Sequence, residues 1–170
     1  RPCVTAILSD GKAMKWGFGN NTAIGPTPVE ITEINHPTEK AKQIINEYYG
    51  GLFILLESGL IRAANIHPQV YGGANSNGWI VPRITNAIQI AEGRSVVYVL
   101  TQDGTVWSWG HNYQNMGNLG QPDIGMSGYE YYENSTWYYR QPGIVNGIGP
   151  GSGAIKLVPR TYGCMVLFED

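Results

Sequence analysis

The chain has 170 residues, enough for a domain with its own core, and its composition is poor in charge. Charged residues make up 14% of the sequence, where about 25% is usual, while the chain holds 23 glycines, 11 tyrosines and 5 tryptophans. The net charge of −2 offers no basic footprint to a nucleic acid, and no apolar run approaches the roughly 18 residues of a membrane span. We therefore expect a turn-rich chain with aromatic surfaces, without nucleic-acid binding or membrane insertion.

Both ends of the chain read as parts of strands. The first residues, RPCVTAIL, lack the charged and apolar regions of a signal peptide, and they do not begin with Met. The last residues, VLFED, stop where the other copies of the motif described below reach a turn. We therefore expect a fragment of a longer protein, so localisation signals need not lie within it.

The first predicted hairpin lies in CVTAILSDGKAMKWG, which starts at Cys3. Its apolar run predicts a strand over 3–9, and a second strand is predicted over 12–16. Asp10-Gly11 lies between them, and a glycine at this place supplies the positive φ of a tight turn. The segment therefore predicts an antiparallel hairpin.

Two segments follow this hairpin before the motif recurs. The proline-containing stretch PTPVEITEI predicts a third strand. The stretch HPTEKAKQIINEYY, residues 36–49, is the one place with some helical spacing. We interpret it as a loop that enters a strand, with a short helical turn as the alternative.

The second copy of the hairpin is LFILLESGLIRAAN, residues 52–65. A buried strand is predicted over 52–57, with a tight turn at Ser58-Gly59. The later segment VPRITNAIQIA again places a proline before an apolar strand. This copy is the most degenerate of the three.

The third copy, VVYVLTQDGTVWSWG, matches the first closely. Strands are predicted over 96–102 and 105–109, around a turn at Asp103-Gly104. The segment QPGIVNGIG then supplies the proline, and it continues into AIKLV. All the elements of the first copy are therefore present again.

A fourth copy begins near the end of the sequence. Strands are predicted over 154–158 and over 163–168, where CMVLFED resembles the first strand of each hairpin. The turn glycines Gly11, Gly59 and Gly104 are 48 and 45 residues apart, a spacing typical of a repeat architecture. We divide the chain into repeats at approximately 1–48, 49–93 and 94–160, with the start of a fourth at 161–170.

A tryptophan and a glycine end the second arm of two hairpins. Trp16-Gly17 and Trp109-Gly110 lie at the same distance from their turn glycines, whereas the second copy has Ala64 at the tryptophan position. The repetition favours a structural role, so we expect both tryptophans to be buried at equivalent sites. The glycine after each is interpreted as a place where another backbone approaches closely.

These elements predict an all-β protein. Three to four short antiparallel strands per repeat, without a convincing helix, are typical of the blades of a β-propeller.

The third copy also resembles a known repeat. The stretch YVLTQDGTVWSWGHN, followed by GNLG and QPGIV, is similar to the repeat of the regulator-of-chromosome-condensation family. The likeness extends over nearly the whole chain, with departures at Ala64 and at Asn118, where the family pattern has Gln. The resemblance implies a seven-bladed propeller, for which three repeats are too few. Further repeats or subunits are then expected to complete the ring.

No catalytic or cofactor motif is found in the sequence. His36, His67 and His111 fall in three different loops without partners at a diagnostic spacing. GPGSG at 149–153 resembles a phosphate-binding loop but lacks the lysine and the helix that such a loop needs. We expect a flexible connection there, and a protein that is not an enzyme and uses no metal or cofactor.

The third repeat contains a long aromatic insertion, QPDIGMSGYEYYENSTWYYRQP, at 121–142. Tyrosine, tryptophan and arginine dominate the binding energy of many interfaces. The alternative is that this loop folds back and buries its own aromatic residues. The predicted binding residues are Tyr129, Tyr131, Tyr132, Trp137, Tyr138, Tyr139 and Arg140.

Three functions remain open from the sequence. The first is a non-catalytic recognition module that presents the aromatic insertion to a protein or a glycan, in a surface-exposed assembly such as a viral or phage attachment fibre; a virion or extracellular location is favoured. The second, which the family resemblance implies, is a regulator that promotes guanine nucleotide exchange on a small GTPase. The third is a structural scaffold.

Cys3 and Cys164 lie in apolar runs, where a free buried thiol is the usual occupant. A disulfide is the less favoured alternative. Asn20 and Asn134 match the N-glycosylation pattern, which has meaning only in a secreted eukaryotic protein.

Overall fold

The computed structural model describes residues 3–19, 22–46, 51–66, 78–112, 117, 119–121, 130–133 and 136–170. These residues form fourteen β-strands and no helix, which confirms the all-β prediction. The strands are β1 (Val4–Ile7), β2 (Ala13–Gly19), β3 (Thr22–Glu30), β4 (Ala41–Asn46), β5 (Leu52–Leu56), β6 (Ile61–Ala64), β7 (Trp79–Ile80), β8 (Ala87–Gly93), β9 (Val96–Thr101), β10 (Val106–Asn112), β11 (Glu130–Glu133), β12 (Thr136–Ile144), β13 (Ala154–Arg160) and β14 (Gly163–Phe168).

The strands form four antiparallel sheets. Sheet A has the order β1-β2-β3, sheet B β4-β5-β6-β7, sheet C β8-β9-β10-β12-β11 and sheet D β13-β14. The first strands of consecutive sheets pack side by side, β4 against β8 and β8 against β13. This is the arrangement of propeller blades around an axis, as predicted. Sheet C exceeds the predicted three to four strands because the insertion adds a strand to it.

The three predicted hairpins are present with the predicted turns. Gly11, Gly59 and Gly104 have φ of +87°, +87° and +83°, values that favour glycine. In each turn the glycine N–H donates to the carbonyl three residues earlier, at 2.8 to 3.0 Å. The Asp-Gly and Ser-Gly pairs therefore mark the turns correctly.

The last strand of each sequence repeat joins the sheet that follows. β4 pairs with β5, and β8 pairs with β9. The backbone N–H of Ala41 donates to the Gly11 carbonyl at 3.1 Å, and that of Ala87 donates to the Gly59 carbonyl at 3.0 Å. The turn of one sheet thus holds the start of the next sheet in place.

The segment 36–49 follows the first interpretation. Residues 36–40 are irregular and lead into β4, while 47–49 lie outside the described residues. No helical turn is present in 36–46, because the AKQII run is needed as the inner strand of sheet B.

The repeat prolines belong to outer strands. Pro26 and Pro28 lie in β3, the outermost strand of sheet A, and Pro82 follows β7, the outermost strand of sheet B. Pro142 lies in β12 beyond the last residue that pairs with β11. Proline lacks an N–H, so it is tolerated where no further strand needs that donor.

Three apolar clusters fill the spaces between consecutive sheets. Sheet B is covered on both sides, because Leu52, Ile54 and Leu56 face sheet A while Phe53 and Leu55 face sheet C. This double burial explains the uninterrupted apolar run LFILL.

The two repeated tryptophans differ in burial. Trp109 is completely buried between sheets B and C, whereas Trp16 in sheet A is only partly buried. The expectation of burial at equivalent sites is therefore met in full by Trp109 and only in part by Trp16, since no described residues cover the side of sheet A that faces away from sheet B.

The glycine after the tryptophan has a different role from the predicted one. A Cβ on Gly17 would meet nothing within 4 Å, but Gly17 has φ +90° and Gly110 has φ +119°. Asn65, at the same position of the second repeat, has φ +54°. The position requires left-handed backbone rather than a close approach at Gly17.

Both cysteines are free thiols, and both are partly rather than fully buried. No helix among the described residues is long and apolar enough to cross a membrane.

Candidate recognition surface

The aromatic insertion forms a β-hairpin at the outer edge of sheet C. β11 pairs with β12, which in turn pairs with β10. Its run of Tyr, Trp and Thr has high β propensity, so strands replace the loop expected from the sequence. We call β11 and β12 together the aromatic hairpin.

The register of this hairpin sets its aromatic residues in opposed pairs. Tyr131 lies opposite Tyr138, and Tyr132 lies opposite Trp137. Residues opposite each other share one face of a sheet, and neighbours along a strand alternate between faces. The two pairs therefore belong to opposite faces of the hairpin.

The neighbouring strand distinguishes these two faces. His111 of β10 lies opposite Tyr138, and Asn112 lies opposite Trp137. His111 is buried, with 8% of its surface exposed. In the register, Tyr138 thus lies opposite a buried residue of β10, and Trp137 lies opposite the residue that follows it.

The base of the insertion is fixed to β10 by side-chain hydrogen bonds. Gln121 Nε2 donates to the Ser108 carbonyl, to Ser108 Oγ at 3.1 Å and to the Gly143 carbonyl at 3.4 Å. Ser108 Oγ donates to the Leu119 carbonyl at 2.6 Å. A Cβ on Gly143 would clash with the Gln121 side chain. These bonds therefore hold the start of the insertion, at Gln121, against β10.

Some predicted residues lie outside the described part of the chain. They are Tyr129, His67, Asn118 and the two candidate glycosylation sites Asn20 and Asn134. Tyr139 lies opposite Glu130 in β12, and Arg140 is the next residue of that strand. The binding role of the seven residues stays a prediction.

His36 and His111 are the two candidate histidines that lie within the described residues. His36 Nδ1 accepts the backbone N–H groups of Thr38 at 3.3 Å and Glu39 at 3.0 Å, so it organises the loop before β4. Burial, followed by the charge of Arg94, lowers the pKa of His111 below its ordinary value.

The GPGSG segment connects sheet C to sheet D. Gly151 N–H donates to the Asp103 carbonyl, and Ser152 Oγ donates to the Gly104 carbonyl, both at 2.7 Å. These bonds tie the segment to the turn of the third hairpin. It is therefore a tethered connection rather than the flexible one expected.

A polar cluster that the sequence did not reveal lies at the β8–β9 turn. Arg94 and Ser95 have positive φ, at +27° and +69°, although neither is glycine. The Arg94 guanidinium donates to the Tyr162 hydroxyl and lies 5.0 Å from its ring centroid. Burial raises the pKa of Glu92 and of Tyr98. The Arg94–Tyr162 contact therefore connects the β8–β9 turn of sheet C to the β13–β14 turn of sheet D.

The described residues contain no group of three His, Cys, Asp or Glu side chains that could hold a metal ion. The four sheets and the aromatic hairpin define a propeller-type repeat protein with an aromatic hairpin on one blade.

Solved structures share this fold. Prp20p from Saccharomyces cerevisiae, described with its binding properties to Gsp1p and histones, matches with a TM-score of 0.67 and 18% identity over 99% of this chain and 40% of that chain. Human WBSCR16 matches with a TM-score of 0.55 and 16% identity over 86% of this chain and 36% of that chain. The structure of Kap60 bound to yeast RCC1 (Prp20) is matched at a TM-score of 0.45.

The chain therefore has a β-propeller repeat fold of the regulator-of-chromosome-condensation type, and the resemblance seen in the sequence is confirmed for the fold. It spans less than half of the length of Prp20p and of WBSCR16. No protein-family model matches the sequence, and a search of curated proteins finds no match.

Proposed function

We propose that this chain is part of a β-propeller that recognises a protein partner through the aromatic hairpin, without catalysis. The observation that carries the proposal is the placement of the densest aromatic stretch of the sequence. It forms two strands at the outer edge of one blade. A hydrogen bond from Gln121 to Ser108 holds the base of these strands to β10. Tyrosine and tryptophan on a rigid strand give large contact areas at low entropic cost.

The row of Tyr132 and Trp137 is the proposed contact surface. Tyr138 of the opposite row lies opposite the buried His111 in the register, so that row is left out of the proposed contact surface. Arg140 is of a residue type enriched in interfaces, but strand alternation places it with Tyr138 rather than with Trp137.

The class of partner is supported by the fold comparison. The structure of Prp20p is described with its binding to Gsp1p and histones, so this fold serves protein recognition in that molecule. The net charge of −2 favours a protein over a nucleic acid for the present chain. The comparisons lend no support to a glycan ligand or to an attachment fibre.

A regulator of nucleotide exchange on a small GTPase is the second candidate. It is favoured by the likeness to Prp20p. Because that likeness is 18% in identity, it supports the same scaffold more strongly than the same activity.

The test begins with affinity capture on the purified chain and a glycan array in parallel. The affinity of any captured protein is then measured for the chain and for Tyr132→Ala and Trp137→Ala. We expect each substitution to weaken binding by about 2 kcal/mol, roughly 30-fold in Kd, with an unchanged melting temperature. Tyr131→Ala and Tyr138→Ala are the matched controls on the opposite row.

Three results would contradict the proposal. Unfolding of Tyr132→Ala and Trp137→Ala would assign these residues to the core. Unchanged affinity in both would place the interface elsewhere, and binding on the glycan array alone would change the ligand class. Accelerated nucleotide release from a captured GTPase would establish the second candidate instead.

A further inference from the structure

The turn at 145–148 follows β12 and contains the pair Asn146-Gly147. The Ile148 N–H donates to the Val145 carbonyl at 3.0 Å, which closes the turn, and Gly147 has φ of +78°. Asn146 and Gly147 are both exposed, and a Cβ added to Gly147 would meet nothing within 4 Å. The pair is therefore open to solvent.

The peptide group that joins Asn146 to Gly147 makes no hydrogen bond within the described part of the chain. Neither the Asn146 carbonyl, the Gly147 N–H nor the Asn146 side-chain amide has a partner there. The turn is held by the groups on either side, such as the Asn146 N–H, which donates to the Gly120 carbonyl at 2.8 Å. The central peptide group can therefore rotate without breaking a hydrogen bond.

Three other glycines of the chain follow an Asn or an Asp, and the N–H of each is already bonded. These N–H groups donate to backbone carbonyls at 2.8 to 3.0 Å, Gly11 to Leu8, Gly78 to Ala63 and Gly104 to Thr101. A backbone nitrogen that attacks a neighbouring side-chain carbonyl must first give up such a bond. Asn146-Gly147 differs from these pairs because its glycine nitrogen has no such bond to give up.

We propose that Asn146 is a site of spontaneous deamidation, in which the chain modifies itself through the Gly147 nitrogen. This nitrogen loses its proton to water or hydroxide and attacks Cγ of the Asn146 side chain. The new bond from nitrogen to Cγ closes a succinimide ring, while the bond from Cγ to Nδ2 breaks and the amide nitrogen leaves as ammonia with a proton from water. Water then opens the ring at either carbonyl, which yields aspartate or isoaspartate without a change of oxidation state.

The modified turn lies between hydrogen bonds that join it to β10. Val145 N–H donates to the Val106 carbonyl at 2.8 Å, and Val106 N–H donates to the Ile148 carbonyl at 3.0 Å. Both products add a negative charge to a chain of net charge −2, and isoaspartate also lengthens the main chain by a methylene. Formation of isoaspartate therefore changes the backbone where the chain leaves β12. The inference does not depend on the partner proposed for the aromatic hairpin.

The test follows deamidation of the full chain at mildly alkaline pH, by mass spectrometry of peptides produced at acidic pH. The control variant, Asp103→Asn, places an asparagine before Gly104, whose N–H is bonded to Thr101. The side-chain oxygen at this position still accepts the Thr101 hydroxyl and the Thr105 N–H. Each rate in the folded chain is divided by the rate at the same site in urea, which removes the influence of neighbouring side chains on the chemistry.

We expect folding to slow the site of Asp103→Asn by about fivefold or more, the factor that one backbone hydrogen bond of about 1 kcal/mol contributes to a rate. At Asn146 we expect the rate in the folded chain to stay close to the rate in urea. If Asp103→Asn unfolds the chain, Asn77 of the unaltered chain takes its place, because the Gly78 N–H donates to Ala63 at 3.0 Å. Equal ratios at Asn146 and at the control site, or no deamidation of Asn146 in the folded chain, would overturn the proposal.

Discussion

The junction between sheets B and C and the junction between sheets C and D are built from the same repeat positions, but they are filled differently. At the first, Trp109 packs against Phe53 in a closed core. At the second, Tyr98 stands at the repeat position of Phe53 and lines a pocket together with Val106, Cys164 and Val166. The repeat therefore specifies the same backbone contacts at both junctions, because Val81 N–H donates to the Ile61 carbonyl as Val145 N–H donates to the Val106 carbonyl.

Backbone and amide contacts are shared by both junctions. Gln43 Oε1 accepts the N–H of Ile90 at 2.8 Å, and Gln89 Oε1 accepts the N–H of Leu157 at 2.7 Å. These glutamines occupy equivalent places in β4 and β8. The inner strands of neighbouring sheets are therefore joined by the same kind of side-chain-to-backbone hydrogen bond at both junctions.

The largest expected effect is the loss of the tryptophan at the closed junction. Trp109→Ala removes a fully buried side chain, which typically costs about 3–5 kcal/mol of the free energy of unfolding. Trp16→Ala is the matched control at the same repeat position, and it should cost less because Trp16 is only partly buried. Urea denaturation of the two variants measures the difference. Equal losses would mean that Trp16 and Trp109 are packed alike, contrary to their difference in burial.

The next effect concerns the turn that links sheets B and C. Gly59→Ala places a side chain in left-handed backbone, at about 1–2 kcal/mol, and sets its Cβ 3.0 Å from Asn86 Cα and 3.1 Å from Ala87 N. Gly147→Ala is the control, because Gly147 has φ +78° but nothing within 4 Å of an added Cβ. We expect Gly59→Ala to lower the melting temperature more than Gly147→Ala. A larger loss at Gly147 would show that contact with the next sheet does not limit the turn.

A smaller effect is expected from the inner-strand glutamines. Gln89→Leu removes two hydrogen bonds, one accepted from Leu157 N–H and one donated to the Leu157 carbonyl at 2.9 Å. Gln43→Leu removes the bond that Gln43 accepts from Ile90. At about 1 kcal/mol for each bond, Gln89→Leu should be the more destabilising variant in thermal denaturation. The opposite order would show that the junction between sheets B and C depends more on its amide contact than the other junction does.

The sequence predicts the hairpins well because their signals are local. An apolar run and a glycine after Asp or Ser determine the turns at Gly11, Gly59 and Gly104, and all three are present. The offset between sequence repeats and sheets was not predictable in the same way. It depends on long-range contacts such as Ala41 to Gly11, which no local pattern reveals.

The sequence indicates which aromatic residues the candidate site contains, but not that they lie on two paired strands. The tyrosines and tryptophan of the insertion indicated a contact surface, while their pairing across β11 and β12 follows from a register that the sequence does not specify. The Arg94-Ser95 turn was missed for a similar reason. Positive φ is expected at glycine or asparagine, so two other residues in that conformation leave no signal.

The smallest expected effect distinguishes the two junctions by pH. His111 lies seven residues after its turn glycine, the position that Ile66 holds in the second repeat, two residues after the end of β6. Burial and Arg94 lower the pKa of His111, so the folded state binds the proton more weakly than the unfolded state, whose pKa is about 6.5. The stability associated with the neutral imidazole is present above that value and is lost as the pH falls from 6.5 towards the lower pKa of the folded state. His111→Ile, which copies the other junction, should remove this dependence. Glu92, whose pKa burial raises, has the opposite sign and is common to both chains, so the difference between their melting temperatures from pH 8 to pH 5.5 reports on His111. A difference that stays constant over this range would show that His111 does not titrate differently in the folded and unfolded chain.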